Sequence, residues 1–259
     1  MRKNKAVSGY PPLRRLLLKL GFGGLIISLA IFLVTGYIWN FLRRSDYFNI
    51  KDIIIKGAPE AGLSYLKGKN IFSLRLAEES AYILGAYPDY AKIKLVRVPP
   101  SRLFASFSSR QPLAYVKLYK YFAVDREGVF FSLPPGPLQQ GLPVIVGLET
   151  KIFGPKPGSK YNTREIAVAL SIIKEIKANS VLKGCAIRRI NASSLANASF
   201  VLGVGPTEGI EVRIGQERIK EKVMLLADVL SQEKPGIANI KYIDLRFREP
   251  VIKFKDAKQ

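Results

Sequence analysis

Residues 21–42, GFGGLIISLAIFLVTGYIWNFL, run for 22 positions without a charged side chain. A helix of about 20 apolar residues spans the ~30 Å hydrocarbon core of a bilayer, so this stretch predicts a transmembrane helix around which the rest must be arranged. Tyr37 and Trp39 near its far end, with Arg43 and Arg44 just outside, fit an interfacial aromatic belt. Ser28 and Ala30 imitate the small-x-small site of a cleaved signal peptide. They lie inside the apolar run, however, and a signal h-region covers only ~7–15 residues. The run therefore reads as an uncleaved signal anchor. Residues 1–20 carry Arg2, Lys3, Lys5, Arg14, Arg15 and Lys19 and no acid. Lys and Arg are retained on the cytoplasmic side, so 1–20 is expected to be a cytoplasmic basic tail and residues 45–259 extracytoplasmic, with a plasma-membrane location.

The chain has no histidine and one cysteine, Cys185. A disulfide framework within one chain, a His/Cys zinc site and a Ser-His or Cys-His nucleophile pair are all excluded. The formal net charge of +21 suits nucleic acid or an anionic membrane surface. Part of it is a tail effect, because all twenty Asp and Glu lie beyond residue 45. An extracytoplasmic position and the lack of an aromatic-basic motif argue against nucleic acid, leaving anionic lipid heads or wall polymers as the partners that basicity fits.

Three local patterns invite a chemical reading. Gly203–Gly209, GVGPTEG, spaces its glycines G-x-G-x-x-x-G and leads into a strand, so it fails the dinucleotide fingerprint and reads as a hairpin turn. Asp125 and Glu127 resemble an acid/base carboxylate pair, but they fall in an apparent hairpin turn, where solvated acids are routine. Asp244 and Arg246 stand i, i+2 on a strand and are expected to form an exposed outward pair of little energetic weight. With no phosphate loop, catalytic dyad or metal cluster, the expectation is no cofactor, no small-molecule substrate and no enzyme. The rival reading is a membrane-anchored cell-envelope enzyme using exterior carboxylates such as Asp125 or Glu127.

Beyond the membrane run the fold class reads as α+β in two modules, 45–118 and 119–259. In the first, NIKDIIIKG (49–57) predicts a strand, and Leu74, Leu76, Ala81 and Leu84 suit a short helix stopped near Gly85 and Pro88. The runs YAKIKLVRV (90–98) and RLFASFSSRQPLAYVKL (102–118) predict two more strands parted by Pro99 and Pro100. The second opens on a hairpin turning at Asp125–Gly128, then a Pro/Gly loop and LPVIVGL. A helix starts after Thr163, with Ile166, Ala169, Leu170, Ile173 and Ile176 on one face. Strands around IRRIN, FVLGVG and GIEVRIG precede a helix carrying Ile219, Val223, Leu226 and Leu230, and the sheet is expected to be mostly antiparallel. The chain closes on YIDLRFREPVIKF (242–254), in which Ile243, Leu245 and Phe247 alternate with Asp244, Arg246 and Arg248. Pro250 lacks an N–H and is tolerated at strand edges, so PVIKF reads as an edge segment.

These residues, in this order, resemble the FtsQ/DivIB family of bacterial cell-division proteins. The first module resembles a POTRA domain, with FNIKDIIIKG as first strand, GKNIFSL before the helix, and the family's R-x-x-P-x-x-L…R-x-P-x-A run at Arg97, Pro100, Leu103, Arg110, Pro112 and Ala114. YFAVDREGVF, LPVIVG, EVRIG and YIDLRF add the second module. Two departures stand out: Ser109 replaces the frequent Glu before that Arg, and the Gly57–Gly68 segment is short for a full first helix. The resemblance implies a single-pass, non-enzymatic scaffold at the division septum, linking early and late divisome components through FtsB and FtsL. It further implies that the C-terminal strand accepts a partner strand from FtsB, making Phe247, Arg248, Glu249, Pro250, Val251, Ile252, Lys253 and Phe254 the partner-binding residues.

Overall fold

The computed structural model describes residues 12–58, 61–133, 136–203, 209–233 and 237–255. The described residues divide into two compact units, one reaching Ala81 and including Ile93–Phe107, the other made of Tyr82–Lys92 with the residues from Ser108 onward.

The first unit begins with helix α1, Pro12–Arg44, whose Lys19–Arg44 portion is long and apolar enough to cross a membrane. None of that portion is buried within the protein, and Leu25, Ile31, Phe32 and Ile38 are all exposed. A helix apolar on every side has lipid as its natural surroundings. Residues 1–11 of the basic tail lie outside the described residues. After a 3₁₀ turn at Asp46–Phe48 come β1 (Asp52–Lys56), α2 (Leu76–Ala86), β2 (Tyr90–Val98) and β3 (Arg102–Ser109), of which α2 from Tyr82, β2 as far as Lys92 and β3 from Ser108 are counted with the second unit. The three strands form one sheet in the order β1-β3-β2, with β1 parallel to β3. Gly57 follows β1 at φ 88°, and a Cβ there would collide with the Phe107 carbonyl oxygen, so only glycine lets the chain turn. Between Gly57 and Gly68 the described residues form only the 3₁₀ turn Ser64–Leu66. Arg97, the first residue of the R-x-x-P-x-x-L run, donates through Nε to Ile71 O at 2.5 Å and through Nη2 to Leu74 O at 2.7 Å. It thereby ties down the loop that leads into α2. That helix buries Ile83; of the residues read onto it, Ala81 is exposed, Leu84 is half-buried, and Leu74 lies buried just before its start.

The second unit contains β4 (Ala114–Lys117), β5 (Tyr121–Val124), β6 (Phe130–Phe131), β7 (Val144–Val146), α3 (Arg164–Ala178), β8 (Ala186–Asn191), β9 (Ser199–Gly203), β10 (Ile210–Arg213), α4 (Ile219–Gln232), β11 (Ile240–Asp244) and β12 (Val251–Phe254). Its strands make a nine-stranded sheet in the order β12-β11-β10-β9-β8-β7-β4-β5-β6. Five of the eight ladders are antiparallel and three parallel, as the mostly antiparallel reading requires. The Thr163 hydroxyl accepts from the Ile166 N–H and caps α3, which buries Ile166, Ala169, Ile172, Ile173 and Ile176. α4 buries Val223, Leu226, Ala227, Val229 and Leu230. Both stripes pack on one core with Phe122, Phe130, Ile145, Phe200, Val212 and Ile243 of the sheet.

Two boundaries differ from expectation. The run 102–118 is not one strand: β3 stops at Ser109, and Leu113 N restarts pairing by donating to Val124 O in the other sheet. Pro112, which has no N–H, lies in the break. β4, counted with the first module by the division at 118, is paired with β5 and β7 of the second. The turn expected within GVGPTEG falls at residues 204–208, outside the described residues, although β9 and β10 on either side are antiparallel neighbours.

Candidate functional site

The site expected at the chain end starts where β11 leaves the core. Ile243 and Leu245 are fully buried, but Phe247, which the alternation placed with them, is 61% exposed because the strand ends at Asp244. The exit is fixed by charge. Asp244 Oδ1 accepts from the Arg246 N–H and Nε at 3.1 and 2.9 Å, and Oδ2 accepts from Arg246 Nη2 at 2.6 Å. Arg246 Nη1 donates to Asn197 Oδ1 just before β9. Asp244 is 4% exposed, so the exposed pair of little weight expected here is instead a desolvated, bidentate clamp. Arg246, by side-chain and backbone hydrogen bonds, holds the Asp244 carboxyl below its ordinary value. Next to the clamp the Arg213 guanidinium stacks over the Tyr242 ring at 4.3 Å.

A group whose folded pKa is depressed contributes stability above its unfolded pKa and loses it as pH falls through the folded value. Acidification from about pH 5 downward is therefore expected to lower the melting temperature through Asp244. Asp244→Asn should melt lower at neutral pH and show a shallower acid dependence, measured by circular dichroism. An unchanged acid profile in that variant would exclude the clamp.

From this clamp the chain passes through Phe247, Arg248 and Glu249, all exposed, and half-buried Pro250 into β12. β12 pairs antiparallel with β11, Asp244 opposite Val251, Ile243 opposite Ile252 and Tyr242 opposite Lys253, and among the described residues has no strand on its other side. It is the edge strand that Pro250 led us to expect. Ile252 packs against the core; Val251 and Phe254 are each 47% exposed and Lys253 is exposed.

Backbone direction follows from two hydrogen bonds. Lys255 N donates to Asn239 O, so its N–H points at β11, while Leu245 N donates to Arg213 O, so β11 points at β10 through Ile243 and Leu245. Successive strand residues send their N–H groups to opposite edges. Val251, Lys253 and Lys255 thus face β11, and Ile252 and Phe254 turn their N–H and C=O groups to the free edge. Pro250 shares that outward parity, so its missing donor costs the internal ladder nothing.

The carboxylates of the rival reading are placed differently. Asp125 is 4% exposed rather than solvated: Oδ2 accepts from Arg110 Nη1 at 2.7 Å and Oδ1 from the N–H groups of Glu127 and Val129. It closes the β5–β6 turn, where Gly128 sits at φ 80°. Glu127 is exposed, and it is its backbone N–H that meets Asp125. No group of three or more His, Cys, Asp or Glu converges among the described residues. A groove of about 600 Å³ runs along α3, lined by Leu113, Leu170, Arg126, Lys174 and Lys177 and by no carboxylate. Sequence reasoning found neither the groove nor the part Asn197 plays in the clamp, since both arise only where elements far apart in the chain meet.

Comparison with known proteins points one way. The family described as cell division protein FtsQ/DivIB, C-terminal, matches residues 114–246, from the start of β4 to the Asp244–Arg246 clamp. A cell division protein FtsQ of Syntrophotalea carbinolica is 26% identical over 242 residues, covering 90% of this chain and 82% of the relative. Those of Geotalea daltonii and Anaeromyxobacter sp. (strain K) are each 26% identical, over 72% and 74% of this chain and 66% of their own length. With the family's segment spanning half the sequence and the long apolar helix preceding it, this chain belongs to the FtsQ/DivIB family of cell-division proteins.

Proposed function

We propose that this cell-division protein is a single-pass membrane scaffold of the divisome, with its N-terminus in the cytoplasm and both units outside. In this reading it joins early and late division components by non-catalytic contacts with partners of the FtsB and FtsL type, and it captures a strand from the FtsB-type partner along the free edge of β12. The observation that carries this is the edge itself: Ile252 and Phe254 direct unpaired backbone groups outward beside exposed apolar side chains. Lys253 adds the charge that discourages indiscriminate pairing. Asp125, committed to Arg110 and a turn, speaks against exterior carboxylate catalysis.

The tagged full-length protein, recovered from detergent-solubilised membranes of its own source, is expected to bring such partners with it. Deleting residues 250–259 should remove them. Unchanged recovery by the truncated chain would refute strand capture. Orientation is checked separately: protease added to spheroplasts should digest residues 45–259, and protection of that region would reverse the topology. The cation-lined groove on α3 favours a second contact, with an anionic wall polymer or lipid.

A further inference from the structure

The apolar run of α1 and the fold of the first unit meet at one side chain. A 22-residue helix rises ~33 Å, about the thickness of the hydrocarbon core, so Trp39 and Leu42 stand at the membrane boundary if α1 spans it. Asn70 reaches that level. Its Nδ2 donates to Leu42 O and Ser45 O, both at 2.9 Å, while its Oδ1 accepts from Phe72 N at 2.9 Å and Ser73 N at 3.3 Å. Leu42 O is one of the last four helix carbonyls, which have no intrahelical donor, and a buried side chain of the folded unit satisfies it. The connection has no slack: Ser45 N donates to Phe41 O, Phe48 N to Ser45 O and Asn49 N to Asp46 O.

An aromatic rim surrounds the joint. Phe72 lies edge-on to Trp39 at 6.3 Å and to Phe48 at 5.1 Å, and Tyr47 edge-on to Phe48 at 5.1 Å. The Arg43 guanidinium lies 5.3 Å from the Trp39 ring centre. Tyr47 is 64% exposed and Trp39 49%. Amphipathic rings beside cations at this depth match the headgroup layer, where one end is apolar and the other wet.

We propose that the first unit is seated in the lipid headgroup layer through Trp39, Tyr47, Phe48 and Phe72, and that Asn70 locks it there by capping the membrane helix. The bound surface is the bilayer interface, and the unit follows the tilt of α1 as one body. This rests on α1 spanning the membrane, and the test separates the two. Trp39 is the only tryptophan. The full chain is reconstituted in phosphatidylcholine–phosphatidylglycerol vesicles with lipids brominated near the headgroup. Both native Trp39 and the indole of a Tyr47→Trp chain in a Trp39→Phe background should be blue-shifted and quenched. Quenching of Trp39 alone overturns the seat and leaves the anchor standing, whereas quenching of neither overturns the anchor and the seat with it. Adding Asn70→Ala should weaken quenching at position 47 and leave that of native Trp39 unchanged; equal quenching at 47 with and without Asn70 overturns its locking role.

Discussion

Phe254→Pro is expected to leave the second unit folded and abolish partner capture, whereas Lys253→Pro should destabilise the unit itself. The difference lies in backbone parity. Phe254 turns its N–H to the free edge, so proline there removes a donor that the protein does not use and sets a ring in the path of an incoming strand. Lys253 points its N–H at β11 opposite Tyr242, so proline breaks a ladder bond and leaves the acceptor unpaired, a cost of ~1–3 kcal/mol. Ile252, seated on the core, would loosen with it. Each main-chain hydrogen bond to a partner contributes only ~0.5–1.5 kcal/mol net, so burial of Phe254 and Val251 must supply part of the affinity. Phe254→Ala, which keeps the N–H and loses the ring, should therefore bind more weakly than wild type and more tightly than Phe254→Pro. Melting by circular dichroism and partner recovery from solubilised membranes read both effects. Wild-type binding by a folded Phe254→Pro chain would show that partners dock elsewhere, and a wild-type melt for Lys253→Pro would reverse the assigned parity.

Strong periodicity carried most of the architecture. The stripes of α3 and α4 follow from spacing that one secondary-structure period satisfies and the other does not, the membrane helix from an unbroken apolar run, and the turn at Asp125–Gly128 and the edge character of the Pro250 segment from residue type. What alternation does not encode is which ladder a strand joins. Leu103, Ala105 and Phe107 are as apolar and as buried as Ala114 and Val116, yet the first three belong to β3 and the others to a different sheet. Charged residues were misjudged for a related reason. Asp125 and Asp244 occupy turn and strand-end positions where acids are normally solvated; Asp125 is paired with Arg110, 15 residues away in the chain, and Arg246, the partner of Asp244, is itself held by Asn197, 49 residues away. Asn70, read only as part of a motif, gains its role from a carbonyl 28 residues upstream.

Asp125→Ala should cost the second unit more than any change on its surface. It strips the counter-charge from Arg110, whose side chain is 12% exposed, and leaves the Glu127 and Val129 N–H groups without their shared acceptor. Breaking a buried pair from one side costs ~3–5 kcal/mol. At ~2–4 °C per kcal/mol for a unit of this size, the melting temperature should fall by roughly 10 °C. Arg110→Ala is expected to cost less, because Asp125 keeps both backbone donors while the Pro88 carbonyl loses its Nε partner. The combination Arg110→Met with Asp125→Asn distinguishes structure from chemistry. The asparagine Oδ1 can still accept both turn N–H groups, no charge is left buried, and uncharged replacement of a buried pair is often near neutral. Such a chain should regain most of the lost melting temperature and support division like wild type. A wild-type melt for Asp125→Ala would deny the pair its structural weight. Failure of division by a stable, membrane-inserted Arg110→Met, Asp125→Asn chain would instead mean that the Asp125 carboxylate does chemistry, and the scaffold reading would give way to the enzyme.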